Sequence, residues 1–196
     1  VACAISADVF YKQEPQFKVE ITAQQNILNV IETNVVNNEL IIKVRNGTVI
    51  RRHENIIVNV SSPVVNGLRI SGSGNIVVAD PINTGSIALS LRRSGSISLH
   101  KLTATSGNVN ISGSGNIAIS SGAVNTGTLK ISGGGNIDMM NVTAFSVNTA
   151  TSGSGDMLVN ASQNLNVTIS GSGSVAYTGN PIINTHITGS GRVIHQ

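Results

Sequence analysis

The sequence predicts an all-β protein: a right-handed parallel β-helix of about seven coils of ~20 residues, closed at its N-terminal end by further β-structure. Three observations predict it. A nine-residue word recurs seven times after residue 66. Apolar residues alternate within each word, as in a strand with one buried face. The composition holds 21 Gly with only 11% charged and 3% aromatic residues, which suits stacked strands joined by tight turns.

The word is apolar-x-apolar-Ser-Gly-Ser-Gly-Asn-apolar. It first reads Leu68-Arg-Ile70-Ser-Gly-Ser-Gly74-Asn75-Ile76, and its second copy is worn, Leu89-Ser-Leu91-Arg-Arg-Ser-Gly95-Ser96-Ile97. Val109-Asn-Ile111-Ser-Gly-Ser-Gly115-Asn116-Ile117 and Leu129-Lys-Ile131-Ser-Gly-Gly-Gly135-Asn136-Ile137 follow. The fifth, Thr149-Ala-Thr151-Ser-Gly-Ser-Gly155-Asp156-Met157, puts threonines at the apolar places. Val167-Thr-Ile169-Ser-Gly-Ser-Gly173-Ser174-Val175 and Thr185-His-Ile187-Thr-Gly-Ser-Gly191-Arg192-Val193 complete the set. The last glycines stand 21, 20, 20, 20, 18 and 18 residues apart, the period of a solenoid in which each coil touches only its neighbours.

Each coil therefore reads as a strand, a Ser-Gly-Ser-Gly corner, a second strand and a variable return. In-register stacking makes two inward columns. One is Ile70, Leu91, Ile111, Ile131, Thr151, Ile169 and Ile187; the other is Ile76, Ile97, Ile117, Ile137, Met157, Val175 and Val193. Each enclosed Ile or Leu contributes roughly 1.5–3 kcal/mol. Three expectations follow. At least one glycine of each word has positive φ. Serine and asparagine side chains bond the corner amides. In the fifth coil Phe145 or Val147 moves inward to fill the layer that Thr149 and Thr151 leave polar, making a local irregularity.

Residues 66–196 are the repeat β-helix, and residues 1–65 are read as β-structure capping it, with a separate binding domain as the alternative. The 1–65 segment alternates as Phe17-Lys-Val19-Glu-Ile21, Leu40-Ile-Ile42-Lys-Val44 and Ile56-Ile-Val58-Asn-Val60, with turns at Asn37-Asn38 and Asn46-Gly47. An open solenoid end exposes an apolar mouth and unpaired edges that such a segment covers.

Charge and cysteine narrow the function. Net charge is +3, but 12 Lys and Arg are scattered, and Arg51-Arg52 and Arg92-Arg93 are the only adjacent basic pairs. A basic patch interleaved with aromatics is absent, which argues against nucleic acid. The single Cys3 forms no intrachain disulfide. It reads as a small buried residue of a first strand running on through Ile5 to Tyr11; the alternative is a lipoprotein acceptor cysteine preceded by small residues. No apolar run reaches the ~18 residues of a membrane helix.

The words, Gly-Ser-Gly-Asn-Ile above all, resemble the family called putative auto-transporter adhesin, head GIN domain, over nearly the whole chain. Asp8-Val-Phe-Tyr-Lys-Gln13 is similar to that family's opening strand, and Glu39-Leu-Ile-Ile42 to its strand ahead of a helix. Val58-Asn-Val60-Ser-Ser-Pro63 is similar to its entry into the repeats, and Val175-Ala-Tyr177-Thr-Gly179-Asn-Pro181 to a late coil. The resemblance implies an exported β-helical protein of the kind common in gut Bacteroidetes, with no catalytic residues to carry over. Cell surface, outer membrane or periplasm is the expected location.

Catalytic chemistry was sought on the residues themselves. Polysaccharide-degrading β-helices need clustered carboxylates. The repeat region has only Asp80, Asp138 and Asp156, and the last two occupy different places in adjacent words, so they are not expected to converge. Gly153-Ser-Gly155-Asp156 has a faint likeness to calcium-binding nonapeptides, but six of the seven words lack that Asp. His53, His100, His186 and His195 lack ligand spacing, and His186 falls at an outward place. The glycine words lack the Gly-Lys-Ser/Thr and helix of a phosphate loop. The sequence thus assigns no catalytic, cofactor-binding or metal residue and no cofactor. It points to a non-enzymatic, exported adhesin whose polar face meets a glycan or a surface protein. The alternatives are a pectinase- or lyase-like enzyme and, more weakly, apolar ligand or lipid binding at the solenoid mouth.

Overall fold

The computed structural model describes residues 1–50 and 54–196; Arg51, Arg52 and His53 lie outside the described residues. The chain begins with β1 (Ala2–Cys3), β2 (Asp8–Gln13), β3 (Lys18–Thr22), a four-residue α1 (Gln25–Leu28), β4 (Ile31–Val36) and β5 (Glu39–Val44). It continues with β6 (Ile57–Ser62), β7 (Gly67–Ile70), β8 (Asn75–Val78), β9 (Ile82–Leu91), β10 (Ser96–Leu99) and β11 (Leu102–Ile111). It ends with β12 (Asn116–Ile119), β13 (Gly122–Ile131), β14 (Asn136–Thr151), β15 (Met157–Ile169), β16 (Val175–Thr178), β17 (Ile182–Ile187) and β18 (Val193–His195).

These strands form a β-solenoid of about six turns, 62% strand and 2% helix. All pairing from β7 onward is parallel. The strands after the corners ladder as β8, β10, β12 and β14, and later as β15, β16 and β18. The strands before the corners ladder as β7, β9, β11, β13, β14, β15 and β17. The sequence register holds: Ile97, Ile117 and Ile137 pair in line, as do Leu91, Ile111, Ile131 and Thr151. Ile111, Ile117, Ile131 and Ile137 all lie buried in one continuous core.

The N-terminal segment is woven into this stack. β1 lies between β5 and β7, with Cys3 opposite both Ile42 and Ile70, and β2 lies between β6 and β8. Cys3-Ala4-Ile5-Ser6-Ala7-Asp8-Val9 therefore follows the path of Ile70 to Ile76 one coil earlier. It is a further copy of the word with Ile5 and Ala7 at the glycine places, which hides it from sequence comparison. The chain then crosses to the end of the stack, where β3 pairs antiparallel with β6 and β4 with β5. With β3 and β4 the pairing at the N-terminal end of the stack turns antiparallel. The short helix α1 precedes the Glu39–Ile42 strand instead of following it.

Two expectations about the corners are corrected. Of the glycines in the words, only Gly189 has positive φ, at 133°. The others are required by closeness: a Cβ on Gly115 or Gly135 would strike the carbonyl oxygen of the glycine one coil below, and one on Gly72 would stand 2.6 Å from the Ile5 oxygen. Nor do side chains satisfy most corner amides. Ser132 N, Gly135 N and Asn136 N donate to the carbonyls of Ile111, Gly113 and Gly115, at 2.9, 3.1 and 3.2 Å, so the ladder continues around the bend. Gly122, outside the words, has φ 138° and is itself pressed against the Leu102 carbonyl.

The fifth coil also differs from expectation. Thr149 and Thr151 are buried in register with Leu129 and Ile131. Their hydroxyls donate to the Asn166 carbonyl at 3.3 Å and the Gly155 carbonyl at 3.5 Å. Val147 is inward, in the regular column of Gly127 and Leu165, while Phe145 points out, 52% exposed. Because the threonines find backbone acceptors, the layer keeps its register. The shifts between β14 and β15 lie elsewhere, between Met139 and Thr143 and between Ala144 and Ser146.

Candidate functional site

The long face of the solenoid is built by β9, β11, β13, β14, β15 and β17. Their alternation buries every second residue, so three columns point outward. One runs Ser86, Ser106, Thr126, Ser146, Asn164; the next Ala88, Asn108, Thr128, Asn148, Asn166, Asn184; the third Ser90, Asn110, Lys130, Ala150, Thr168, His186. None of the residues in these three columns is Asp or Glu. In the central column the amides are linked coil to coil: Asn166 Nδ2 donates to Asn148 Oδ1 at 2.8 Å, and Asn184 Nδ2 to Asn166 Oδ1 at 3.1 Å. Each linked amide uses only part of its hydrogen-bonding capacity, leaving donors and acceptors at the strand spacing of ~4.8 Å.

A second polar ladder follows the corner ends. Asn75 Nδ2 donates to Asp8 Oδ1 and Ser96 Oγ to Asn75 Oδ1, both at 2.8 Å. Farther along, Asn136 Nδ2 donates to Asn116 Oδ1 at 3.2 Å. The Asn136 side chain then accepts the Asp156 amide at 2.9 Å, and Asp156 Oδ1 accepts the Ser174 amide at 2.7 Å. Asp156 thus substitutes for asparagine in a structural ladder. Asp138 is one strand place beyond Ile137, with its Oδ1 accepting the Met140 amide at 3.1 Å. The two carboxylates bond different backbone amides, and Asp80 lies apart, exposed at the end of β8. Among the described residues no group of three His, Cys, Asp or Glu is placed to hold a metal ion.

The remaining singled-out residues have separate settings. His100 and His186 are exposed, the latter in register with Thr168. His195 packs on Tyr177 with ring centroids 4.9 Å apart, and its Nε2 lies 3.1 Å from the Gly179 carbonyl. Arg92 and Arg93 occupy the worn corner, where the Arg92 amide donates to the Ile70 carbonyl and the Arg93 carbonyl accepts the Ser114 and Gly115 amides of the next coil. Cys3 is fully buried, and its burial pushes the thiol pKa up. An acyl chain on that sulfur would have to displace the Ile42 and Ile70 layers. No helix among the described residues is long and apolar enough to cross a membrane.

Two concavities lie at the N-terminal end, and the sequence assigned lining residues to neither. One, of about 780 Å³, is lined by Phe17, Val19, Val35, Leu40, Val64 and Val65 among others. The other, of about 240 Å³, lies across β2, β6 and β3 and is lined by Phe10, Lys12, Glu14, Lys18, Glu20 and Asn59, with Val60 and Ser61. The signal for Phe10 was present. Val9 and Tyr11 are inward, so the period of two turns Phe10 and Lys12 outward.

The profile of the family described as "Putative auto-transporter adhesin, head GIN domain" matches residues 1–181. The chain belongs to this family. Solved structures share its fold. A putative adhesin from Bacteroides fragilis superposes with a TM-score of 0.94 at 23% identity, covering 100% of this chain and 90% of that one. A putative lipid binding protein from Parabacteroides distasonis gives 0.84 at 22%, covering 100% and 91%. A putative adhesin from Parabacteroides merdae gives 0.78 at 20%, again covering 100% and 91%. No curated protein matches the chain. At these identities the structural likeness establishes the architecture of this adhesin-family chain and leaves its ligand to be argued from its own surface.

Proposed function

We propose that this is a non-enzymatic, exported surface protein that holds a glycan or a protein partner on the polar face of its rod. The observation that carries the reading is the carboxylate-free triple column of Ser, Thr and Asn, which has many hydrogen-bonding groups and no acid–base pair. Stacking fixes these groups in a regular array, so little side-chain freedom is lost when a long ligand lies along it. Weak single contacts repeated over several coils then add through multivalency. Membership of an adhesin family supports the same reading.

The test is incubation with a panel of plant and host polysaccharides and surface proteins, following both retention and new reducing or unsaturated ends. Retention without turnover supports the reading. Turnover that disappears in Asp138→Asn or Asp156→Asn replaces it with a polysaccharide-degrading enzyme.

One observation favours a second reading. The larger concavity at the cap is mostly apolar, and a structural neighbour is described as a putative lipid binding protein. Displacement of a fluorescent fatty acid, lost in Val35→Asp, would support lipid binding there; no saturable binding of fatty acids or lysolipids would remove it.

A further inference from the structure

All three phenylalanines lie outside the core: Phe10 is 41% exposed, Phe17 84% and Phe145 52%. Phenylalanine is ordinarily among the most buried residues. Here the inward columns repeat Ile, Leu and Val at nearly constant width, and apart from Tyr11 the core takes no ring. Phe10 differs from the other two in forming part of a polar hollow.

The strand register explains that hollow. Phe10 on β2 stands opposite Asn59 on β6, which stands opposite Glu20 on β3; one step along, Lys12, Ser61 and Lys18 form a parallel row. The Ser61 hydroxyl donates to the Gln16 carbonyl at 2.9 Å, tying the turn between β2 and β3 against the hollow. Lys18 and Glu20 pair across its rim at 2.9 Å. Two lysines and two glutamates leave the hollow with no net charge. Two lysines and two glutamates thus line one hollow with an exposed ring, whereas the outward columns of the long face carry a single lysine.

We propose that this hollow is a subsite for one uncharged pyranose unit of a glycan. The electron-rich face of Phe10 takes the C–H face of the sugar ring. Lys12 and Lys18 donate to hydroxyl oxygens, Glu14 and Glu20 accept hydroxyl protons, and the Asn59 amide does both. Neighbouring hydroxyls each need a donor and an acceptor, and alternating ammonium and carboxylate groups supply that pattern. A uronate or sulfated sugar would bring its charge against the glutamates. A volume of about 240 Å³ suits a single ring, with the rest of the chain leading away over the cap. This inference rests on the glycan arm of the proposed function but places the terminal sugar on the cap and not on the rod.

The test is saturation-transfer NMR and calorimetry on the full chain with the methyl glycosides of glucose, galactose and mannose, and with glucuronate and galacturonate. At least one neutral glycoside is expected to bind saturably. Affinity should fall tenfold or more in Phe10→Ala and in Glu20→Gln, stay within twofold in Phe10→Trp, and be unchanged in Ser98→Ala, an exposed position of β10 outside both surfaces. Unaltered thermal midpoints exclude loss of fold, since the Phe10 ring is half exposed. Equal binding in Phe10→Ala and the parent overturns the subsite, as does tighter binding of a uronate than of every neutral sugar. If Asn166→Ala alone abolishes binding, the rod-face reading stands and the subsite falls. If no monosaccharide binds while long polysaccharide is retained equally by the parent and Phe10→Ala, the subsite again falls alone.

Discussion

A Cβ added to Gly135 would lie within the van der Waals envelope of the Gly115 carbonyl oxygen directly beneath it, and would also meet the Ile111 side chain at 2.8 Å. The same relationship recurs between Gly155 and Gly135 and between Gly173 and Gly155. The glycine word is therefore a condition for stacking at the corner. Where one corner sits on the next, the backbones leave no room for a side chain.

Gly135→Ala is expected to destabilise the chain by about 1–3 kcal/mol, because the added methyl must push two coils apart. Its neighbour Gly134 has nothing within 4 Å and no positive φ. Gly134→Ala should be neutral or stabilise by up to about 1 kcal/mol through the unfolded chain. Denaturant midpoints of the two variants give a direct comparison; equal losses would mean that closeness does not explain the word.

Ile131 lies near the middle of its column, buried between Ile111 and Thr151. Ile131→Ala should cost about 2–5 kcal/mol, the transfer term plus an unfilled cavity between rigid layers. Equilibrium unfolding in urea measures it.

The stack was legible in the sequence because one physical requirement, a near-identical layer every 18–21 residues, leaves a repeated pattern. The columns of Ile70 and Ile76 could be read without coordinates. The opening coil could not, because Ile5 and Ala7 replace the glycines that mark the others. At this edge of the repeats the word has no earlier glycine corner beneath it, and the chain departs from sequential stacking at the same place. The role of the glycines was misread for a related reason: composition shows that a Cβ is absent but not whether torsion or distance forbids it. The outward setting of Asn148, Asn166 and His186 follows from alternation alone. The hollow at Phe10 does not, since it depends on β3 folding back on β6, a pairing between segments that share no repeated word.

Thr151 is buried with a long hydrogen bond of 3.5 Å to the Gly155 carbonyl. Such a bond returns little of the hydroxyl's desolvation cost, and replacing a buried polar group by an apolar one of the same shape is often neutral or stabilising. Thr151→Val is expected to leave the thermal midpoint unchanged or raise it, extending the column from Ile131 to Ile169. Thr149→Val removes the shorter bond to the Asn166 carbonyl, at 3.3 Å, and should gain less. A marked loss in Thr151→Val would show that the hydroxyl is needed for this layer's register.

Cys3 and Tyr11 lie in the opening coil, and in both burial is the main cause that raises the pKa above its ordinary value. For an acid that is neutral when protonated, a raised folded pKa means that the unfolded chain loses its proton first as pH rises. The stabilisation is complete below the unfolded pKa values, about 8.5 for the thiol and 10 for the phenol. It is lost as pH climbs through them towards the folded values. Stability to urea should therefore fall as pH rises above about 8.5. Cys3→Ala should flatten the earlier part of that fall and Tyr11→Phe the later part. The phenol also bonds Ser62 Oγ at 2.8 Å, so Tyr11→Phe should lower stability at neutral pH while reducing its alkaline slope. Urea midpoints at half-unit intervals for the parent and the two variants separate these contributions. Identical slopes in all three would show that the opening coil is not what fails first in alkali.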